Sequence, residues 1–203
     1  MIARLVFFHG PMGAGKSTFA LQTHFNQSRQ GRRGVLVSTL DRSGAPMVTS
    51  RIGLTATAVI VGPGDDVFAA AMDDRSAGEL DYVVCDEAQF LTPSQVEALV
   101  RLVDEAGVDV LAFGLLTDFQ ARLFPGSARL IEVADEVNGM QAIVMCWCGR
   151  PATHNARVAD GVVVRSGDRV AVGDVVVGEI ASGDTQVHYQ ALCRLHHRQG
   201  RLG

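Results

Sequence analysis

Residues 10–18 read Gly10-Pro11-Met12-Gly13-Ala14-Gly15-Lys16-Ser17-Thr18, and the first eight match the full G-x-x-x-x-G-K-[ST] pattern of a phosphate-binding loop. Glycines let successive backbone N–H groups converge on phosphate oxygens, and a following helix adds its positive N-terminal end. We therefore expect Gly10–Thr18 to cradle a nucleotide. The Lys16 ammonium would reach the β- and γ-phosphates, and the Ser17 hydroxyl would ligate Mg²⁺.

The residues on either side provide the setting that such a loop requires. Leu5–His9 is a short apolar run typical of a strand, and Thr18–Gln27 has the composition of a helix without Pro or Gly. Lys16 is the only lysine among 18 basic residues. A chance glycine turn that opens a helix is the alternative, and the flanking strand and helix argue against it.

A second strand, Leu80–Cys85, ends in the acids Asp86-Glu87. An apolar strand of a parallel sheet delivers its last residues to the edge where ligands gather. Asp86 suits a Mg²⁺ ligand acting through water, and Glu87 is placed to take a proton from an attacking hydroxyl or water. The alternative is a pair of solvated acids that cap the next helix.

Further elements alternate between strand and helix along the first two thirds of the chain. Predicted strands are Gly34–Thr39 and Val108–Gly114, with a possible short strand at Thr55–Val61; predicted helices are Asp65–Met72 and Pro93–Ala106; residues 41–54 are predicted to be a loop. This alternation predicts an α/β fold, a parallel sheet covered on both faces.

The pattern changes after about residue 139. Gly161–Ile180 is rich in valine and broken by Gly-Asp turns, and no convincing helix follows Cys146. We therefore predict two domains, a phosphate-loop domain at residues 1–139 and a small β-rich domain at residues 140–203.

Composition excludes several classes of protein. The 203 residues are 47% hydrophobic and 20% charged, which is ordinary for a globular chain. A net charge of −4 and a pI near 5.8 argue against nucleic acid or an anionic membrane as the main partner. The apolar runs are too short to span a bilayer, and the N-terminus has no signal-peptide pattern, so a cytoplasmic protein is expected.

Seven motifs, in this order along the chain, resemble the type II (cellular-type) thymidine kinase family. They are Gly10–Thr18, Ser50–Leu54, Asp86-Glu-Ala-Gln-Phe90, Gly114-Leu-Leu-Thr-Asp-Phe119, Phe124-x-Gly126, Ala134-Asp135 and Tyr189-x3-Cys193-Arg194. The resemblance implies transfer of phosphate from ATP, with Mg²⁺, to the 5′-hydroxyl of thymidine or deoxyuridine. It also implies a RecA-like domain joined to a zinc-bearing domain with a lasso that closes over the nucleoside.

The same resemblance implies roles for particular residues. Glu87 would be the catalytic base, and Asp86, Glu87, Ala88 and Gln89 would complete the ATP site begun by Gly10–Thr18. The thymine pocket would be lined by Met12, Phe90, Leu115, Phe119 and Tyr189, each of which taken alone could equally be ordinary core. Where the family has Asp-x-Arg, this chain has Asp41 directly before Arg42, so the acid is shifted by one position. Arg42 still fits a substrate or phosphate contact, whereas Asp41 could simply be solvated.

Metal ligands are expected in the C-terminal region. Of four cysteines three lie there, which in a cytosolic chain suggests zinc rather than disulfides. Cys193-x2-His196 fits a zinc knuckle. In the family's Cys-x2-Cys motif, Cys148 corresponds to the second ligand, whereas Met145 occupies the position of the first. Cys146 could substitute, with His154 or His197 as alternatives for the fourth ligand; a degenerate knuckle without zinc is the other possibility.

The resulting hypothesis is a thymidine kinase acting in nucleoside salvage for DNA synthesis. The resemblance further implies feedback inhibition by dTTP and a homo-oligomer, either a tetramer or a dimer. The net charge and the short apolar runs predict no nucleic-acid or membrane partner. Two alternatives stay open. One is a RecA-type P-loop ATPase, and the other is a zinc-ribbon module that binds nucleic acid, although residues 158–189 carry only Arg165 and Arg169 as fixed positive charges.

Overall fold

The computed structural model of the chain describes residues 2–39, 46–73, 79–167 and 187–203. Contacts divide the chain into two compact units. The first comprises Met1–Gly10, Gly15–Leu116 and Phe124–Met140; the second comprises Pro11–Ala14, Thr117–Leu123 and Gln141–Gly203. The domain boundary at residue 139 stays a prediction.

The first unit is built on a parallel β-sheet. The strands of this unit are β1 (Leu5–His9), β2 (Gly34–Ser38), β3 (Met47–Thr49), β4 (Thr55–Thr57), β5 (Val59–Ile60), β6 (Tyr82–Asp86), β7 (Asp109–Gly114) and β8 (Glu136–Gly139). Strands β3 and β4 pair with each other in a separate hairpin. The other six strands form one sheet in the order β5-β2-β6-β7-β1-β8, and every neighbouring pair in it is parallel. The strand before the phosphate loop, β1, is thus separated from the strand that ends in the two acids, β6, by β7.

Helices cover both faces of this sheet, which confirms the predicted fold class. They are α1 (Lys16–Arg29), α2 (Val67–Met72), α3 (Pro93–Asp104) and α4 (Pro125–Val133). Along β6, Val83 and Cys85 pack into a cluster with α2, α3 and α4, while Tyr82 and Val84 pack into a second cluster with α1. Alternate residues of a strand point to opposite faces, so β6 is buried from both sides.

Sequence signals placed the helix starts well and the region of residues 41–61 less well. Helix α3 begins with Pro93 at its first turn and a capping box between Thr92 and Gln95. The residues predicted as one strand, Thr55–Val61, divide into β4 and β5, and β4 pairs with β3, which lies inside the predicted loop. The short strand β8 and helix α4 were not predicted.

The second unit contains a small antiparallel sheet. Strands β9 (His154–Ala159), β10 (Val162–Val163) and β11 (Val187–Leu192) lie in the order β10-β9-β11, and helix α5 (Arg194–Gln199) follows. Asp160 and Gly161, both at positive φ, form the tight turn between β9 and β10. The β-rich prediction is confirmed at β10, and residues 168–180 of it lie outside the described residues. The expectation that no helix follows Cys146 was wrong, because α5 follows Cys193.

Within the described ranges, no helix combines the length and apolar character needed to cross a lipid bilayer.

Candidate active site and candidate zinc centre

The phosphate loop follows β1 and leads into α1, as predicted. Gly13 and Gly15 have φ values of 84° and 76°, a conformation that glycine adopts without a Cβ penalty. Helix α1 begins at Lys16, and the Lys16 ammonium donates a hydrogen bond of 3.1 Å to the carbonyl oxygen of Gly10. The ammonium therefore folds back over the start of the loop, where an anion bound at the N-terminus of α1 would meet it.

His9, the last residue of β1, is close enough to Lys16 for their charges to interact. Burial, and then the Lys16 ammonium, lower the pKa of His9 below its ordinary value of 6.5. His9 is therefore neutral near pH 7, so Lys16 supplies the positive charge at this end of β1.

The two acids at the end of β6 are buried. Asp86 is 4% exposed and Glu87 is 8% exposed. Glu87 has φ 53°, a left-handed conformation that costs energy in a residue with a Cβ and that is concentrated at functional sites. Its side chain makes no capping hydrogen bond to the 3₁₀ turn Ala88–Phe90 that follows. The alternative of solvated acids that cap the next helix is therefore wrong.

The Glu87 carboxylate is held by Gln89. The Gln89 side-chain amide donates to Glu87 Oε2 at 2.6 Å, and the Gln89 Oε1 oxygen accepts the backbone N–H of Leu115 at 3.0 Å. The Thr39 hydroxyl donates to the backbone carbonyl of Glu87 at 2.8 Å. Gln89, predicted only as an ATP-site residue, thus orients the candidate base, a role that its position in the sequence does not indicate.

The 3₁₀ turn after Glu87 is packed closely against α4. A Cβ at Gly126 would lie 2.6 Å from the carbonyl oxygen of Leu91 and 2.7 Å from that of Ala88. Only a glycine allows α4 this near the turn that carries Gln89. Gly126 in the motif Phe124-x-Gly126 is thereby explained by packing.

Two of the predicted pocket residues lie in the first unit near this turn. Phe90 is half-buried and meets the ring of Phe124 edge-on, with ring centroids 5.5 Å apart. Leu115 is buried, and Gln89 binds its backbone. Phe90 is thus part of the turn that follows Glu87, and Leu115 is hydrogen-bonded to that turn through Gln89.

The other three predicted pocket residues, Met12, Phe119 and Tyr189, lie in the second unit. The Arg157 guanidinium carbon lies 3.9 Å from the centroid of the Phe119 ring, and Arg157 Nε donates to the Tyr189 hydroxyl at 3.0 Å. The backbone N–H of Met12 donates to Asn155 Oδ1 at 2.8 Å.

Arg157 and Asn155 were not predicted as site residues, although both are buried polar side chains, 6% and 4% exposed. They lie two residues apart on β9 and so on the same face of that strand. A predicted strand at residues 154–159 with polar residues at alternate positions would have been the signal that could have found them.

Arg42, the remaining predicted contact, and Asp41 lie outside the described residues.

A group of candidate metal ligands contains the four predicted residues Cys146, Cys148, Cys193 and His196, whose ligand atoms all lie within 4.8 Å of one another. Cys148 Sγ is 3.9 Å from Cys193 Sγ, and His196 Nδ1 is 3.4 Å from Cys146 Sγ and 3.5 Å from Cys193 Sγ. Tetrahedral zinc requires S···S and N···S separations of about 3.8 Å and 3.5 Å for Zn–S and Zn–N bonds of about 2.3 Å and 2.0 Å. The donor set therefore fits zinc.

The alternatives for the fourth ligand have other partners. His197 Nε2 lies 2.9 Å from the carbonyl oxygen of Phe119, and His154 Nδ1 lies 2.8 Å from the Thr153 hydroxyl. Met145, which stands where the family has its first ligand, is 53% exposed. Cys146 instead belongs to the group of candidate ligands, in a Cys-x-Cys turn closed by the hydrogen bond from the N–H of Gly149 to the Cys146 carbonyl oxygen at 2.9 Å.

The electrostatic surroundings suit a thiolate at Cys146. Burial raises the pKa of this thiol, but hydrogen bonds from the backbone N–H groups of Cys148 and Cys193 and from the His196 ring outweigh burial and bring the pKa to about 6. A metal ligand must be deprotonated, so this environment favours metal binding. By contrast, burial in the sheet raises the pKa of the Cys85 thiol, which stays a neutral core residue.

The sequence comparisons with known proteins agree on one family. Residues 3–197 match the family model for thymidine kinase. A thymidine kinase of Cutibacterium acnes is 49% identical over 203 residues, covering 100% of this chain and 91% of the relative. A thymidine kinase of Streptomyces coelicolor is 50% identical over 196 residues, covering 96% of this chain and 88% of the relative. Among solved structures, the Pif1 helicase of Candida albicans matches 68% of this chain and 36% of its own at 11% identity, with a TM-score of 0.42.

Proposed function

The chain belongs to the thymidine kinase family, and on that premise we propose that it transfers the γ-phosphoryl group of ATP to the 5′-hydroxyl of thymidine. The observation that carries the proposal is the buried Glu87 carboxylate, which directly follows Asp86 at the end of β6 and is oriented by Gln89. Phosphoryl transfer depends mainly on positioning and charge stabilisation, and a fixed carboxylate supplies the one proton acceptor that the nucleoside hydroxyl needs.

The phosphate loop would bind the triphosphate. In the proposal, the backbone amides of Gly10–Thr18 and the Lys16 ammonium compensate the charge on the phosphates, and residues 86–89 complete the ATP site. Ser17 and Asp86 would hold Mg²⁺, since both offer the oxygen ligands that this ion prefers. Bound there, Mg²⁺ neutralises charge on the β- and γ-phosphate oxygens.

Glu87 would act as the general base. Its Oε2 oxygen accepts a hydrogen bond from the Gln89 side-chain amide, and this contact helps to fix the orientation of the carboxylate. A carboxylate is a proton acceptor when ionised, so Glu87 would take the proton of the 5′-hydroxyl. The proton moves from the hydroxyl oxygen to Glu87 as that oxygen attacks the γ-phosphorus, and ADP leaves.

The base of the nucleoside would meet apolar and aromatic side chains. We assign this pocket to Met12, Phe90, Leu115, Phe119 and Tyr189, with Arg42 as a further contact to substrate or phosphate. Apolar walls with a few polar groups are the usual composition of a small-molecule site. Deoxyuridine, which differs from thymidine only by a methyl group on the base, is proposed as a second substrate.

Zinc is assigned a structural role at Cys146, Cys148, Cys193 and His196, because four protein ligands leave no open position for a substrate. The proposal also includes dTTP as a feedback inhibitor, a homo-oligomeric assembly, a role in nucleoside salvage, and a cytoplasmic location, where thiols stay reduced.

The proposal is tested by incubating the protein with radiolabelled ATP and a panel of nucleosides, with and without Mg²⁺. We expect label on thymidine and deoxyuridine, dependence on Mg²⁺, and little ATP consumption without a nucleoside. Hydrolysis of ATP at the same rate without nucleoside would instead favour the RecA-type ATPase.

Lys16→Ala is the companion variant. The loss of this charge is expected to weaken ATP binding and to lower turnover, because the ammonium acts on both ground and transition states. Arg29→Ala, which removes a charge at the other end of α1, is the control and should keep full activity. Full activity of Lys16→Ala would contradict the assignment of the phosphate loop.

A further inference from the structure

We propose that Arg157 is a positioning residue of the nucleoside pocket, which holds the rings of Phe119 and Tyr189 in the arrangement that receives the base. The inference rests on the proposed function, since it assumes that these two rings contact the nucleoside. It assigns a role to a buried charge that neither the phosphate loop nor the zinc centre uses.

The position of Arg157 follows from strand register. Arg157 on β9 lies directly opposite Tyr189 on β11 in an antiparallel pair. Directly opposed residues of neighbouring strands have their side chains on the same face of the sheet, so the guanidinium and the phenol are side by side. Arg157 Nε donates to the Tyr189 hydroxyl at 3.0 Å, which fixes the far end of the tyrosine side chain.

Phe119 comes from a loop, and the Arg157 guanidinium contacts its ring. The guanidinium carbon lies 3.9 Å from the ring centroid, within the range of a cation–π contact. The loop backbone has separate support: Asp118 Oδ1 accepts the N–H groups of Gln120 and Arg122, both at 2.9 Å, and the Phe119 carbonyl lies 2.9 Å from His197 Nε2. The backbone of Phe119 is thus fixed independently, and Arg157 acts on the ring.

Arginine is chemically suited to both contacts. Burying a cation is costly, and an apolar side chain of similar volume would fill the same space at lower cost. A planar guanidinium can lie over one ring with its face while it donates from its edge to a hydroxyl, whereas an ammonium is a compact point charge without that geometry. The observed pair of contacts uses both properties, and both partners are predicted pocket residues.

The experiment measures KM and kcat for thymidine and for ATP in Arg157→Met, Arg157→Lys, Tyr189→Phe and the double variant Arg157→Met/Tyr189→Phe. For Arg157→Met we expect KM for thymidine to rise about tenfold, which corresponds to the loss of one cation–π contact and one charge-assisted hydrogen bond. KM for ATP should change by less than about threefold, since the phosphate loop keeps its own residues. Arg157→Lys keeps the charge and should recover part of the loss.

The double variant separates positioning from general destabilisation. If Arg157 acts through the tyrosine hydroxyl, Tyr189→Phe should raise KM for thymidine less in the Arg157→Met background than in the wild type. Arg198→Met removes an exposed arginine of the same unit and is the matched control, expected to leave both KM values unchanged. Thermal melts establish that each variant is folded; if Arg157→Met does not fold, Arg157→Lys and its double variant with Tyr189→Phe carry the test.

The outcomes are distinct. An active wild type in which Arg157 variants melt at lower temperature but keep the wild-type KM for thymidine would overturn the inference alone, because Arg157 would then be a structural cation. Strictly additive effects of the two substitutions would overturn it as well. A wild-type protein that phosphorylates no nucleoside would overturn the proposed function, and this inference with it.

Discussion

Gln89 connects the candidate catalytic base to the backbone of a candidate pocket residue: its amide donates to the Glu87 carboxylate at 2.6 Å, and its carbonyl oxygen accepts the N–H of Leu115 at 3.0 Å. One side chain, 1% exposed, therefore sets the orientation of Glu87 and the position of the chain at Leu115 together. Both contacts are fixed before any substrate is bound, which is the preorganisation that positional catalysis requires.

Glu87→Gln tests the base directly. The substitution keeps the size of the side chain but removes its ability to take a proton, so kcat should fall by roughly 10²–10⁴-fold while thymidine binding is largely retained. Steady-state kinetics with a separate binding measurement checks this. Glu79→Gln, at an exposed acid of the same unit, is the control. Wild-type kcat in Glu87→Gln would remove Glu87 from the mechanism.

Gln89→Leu tests the support of the base. Leucine has a similar volume, yet it removes the hydrogen bonds that Gln89 makes to the Glu87 carboxylate and to the Leu115 N–H, so kcat should fall by about tenfold or more and the melting temperature should drop. The exposed Gln22→Leu on α1 is the matched control. If only the melting temperature changed and kcat did not, Gln89 would have a packing role alone.

Gly126→Ala tests the close packing of α4 on the turn that carries Gln89. The new methyl group would lie 2.6 Å from the Leu91 carbonyl oxygen, so the turn must move, at a cost of about 1–3 kcal/mol in stability. We expect a lower free energy of unfolding in urea titrations together with reduced kcat. Gly64→Ala, where a Cβ meets no atom within 4 Å, should be nearly neutral. Equal behaviour of the two variants would show that α4 can shift freely.

Metal content tests the zinc centre. Elemental analysis should find about one Zn²⁺ per chain, and Cys146→Ser, Cys148→Ser, Cys193→Ser and His196→Ala should each reduce it. His154→Ala should keep the metal, because this residue lies outside the group. Stability should fall with metal loss, since binding energy at a structural site is folding energy.

Metal loss should also raise KM for thymidine more than KM for ATP. Strand β11, which carries Tyr189, ends one residue before Cys193, and His197 on α5 contacts the carbonyl of Phe119 at 2.9 Å. The candidate metal ligands are thus next in sequence to segments that carry or contact two of the three aromatic residues of the predicted pocket, Tyr189 and Phe119. A protein purified without metal that shows the same KM for thymidine as a zinc-loaded sample would contradict this link.

His24 gives a pH dependence of stability. Burial lowers the pKa of His24, whose Nδ1 lies 3.0 Å from the Tyr82 hydroxyl, below the ordinary value of 6.5. The unfolded chain then binds the proton more readily than the folded one, so stability is lost as pH falls from above 6.5 towards the lowered pKa. Urea titrations at several pH values between 5 and 8 give the free energy of unfolding as a function of pH. This free energy should depend less steeply on pH in His24→Gln than in the wild type. An unchanged slope would mean that His24 makes no difference to proton uptake on unfolding.

Local spacing was enough to predict much of the molecule. The phosphate loop, the strand that ends at Asp86-Glu87 and the parallel sheet all follow from residues near one another in the chain or from strict periodicity. These features depend on backbone conformation and on alternating burial, which short segments already specify. Helix α4 and strand β3 were not predicted, because their segments are short and their hydrophobic patterns are weak.

Tertiary structure alone decided which side chains meet. The contact of Gln89 with Leu115 joins residues 26 positions apart, that of Arg157 with Tyr189 joins residues 32 apart, and that of Cys146 with His196 joins residues 50 apart. Composition and spacing left His154 and His197 as possible zinc ligands, and the fold instead gives them partners at Thr153 and Phe119. A hydrogen bond or a metal site requires atoms within about 3–4 Å, and that distance is fixed by strand register and packing, which no local pattern specifies.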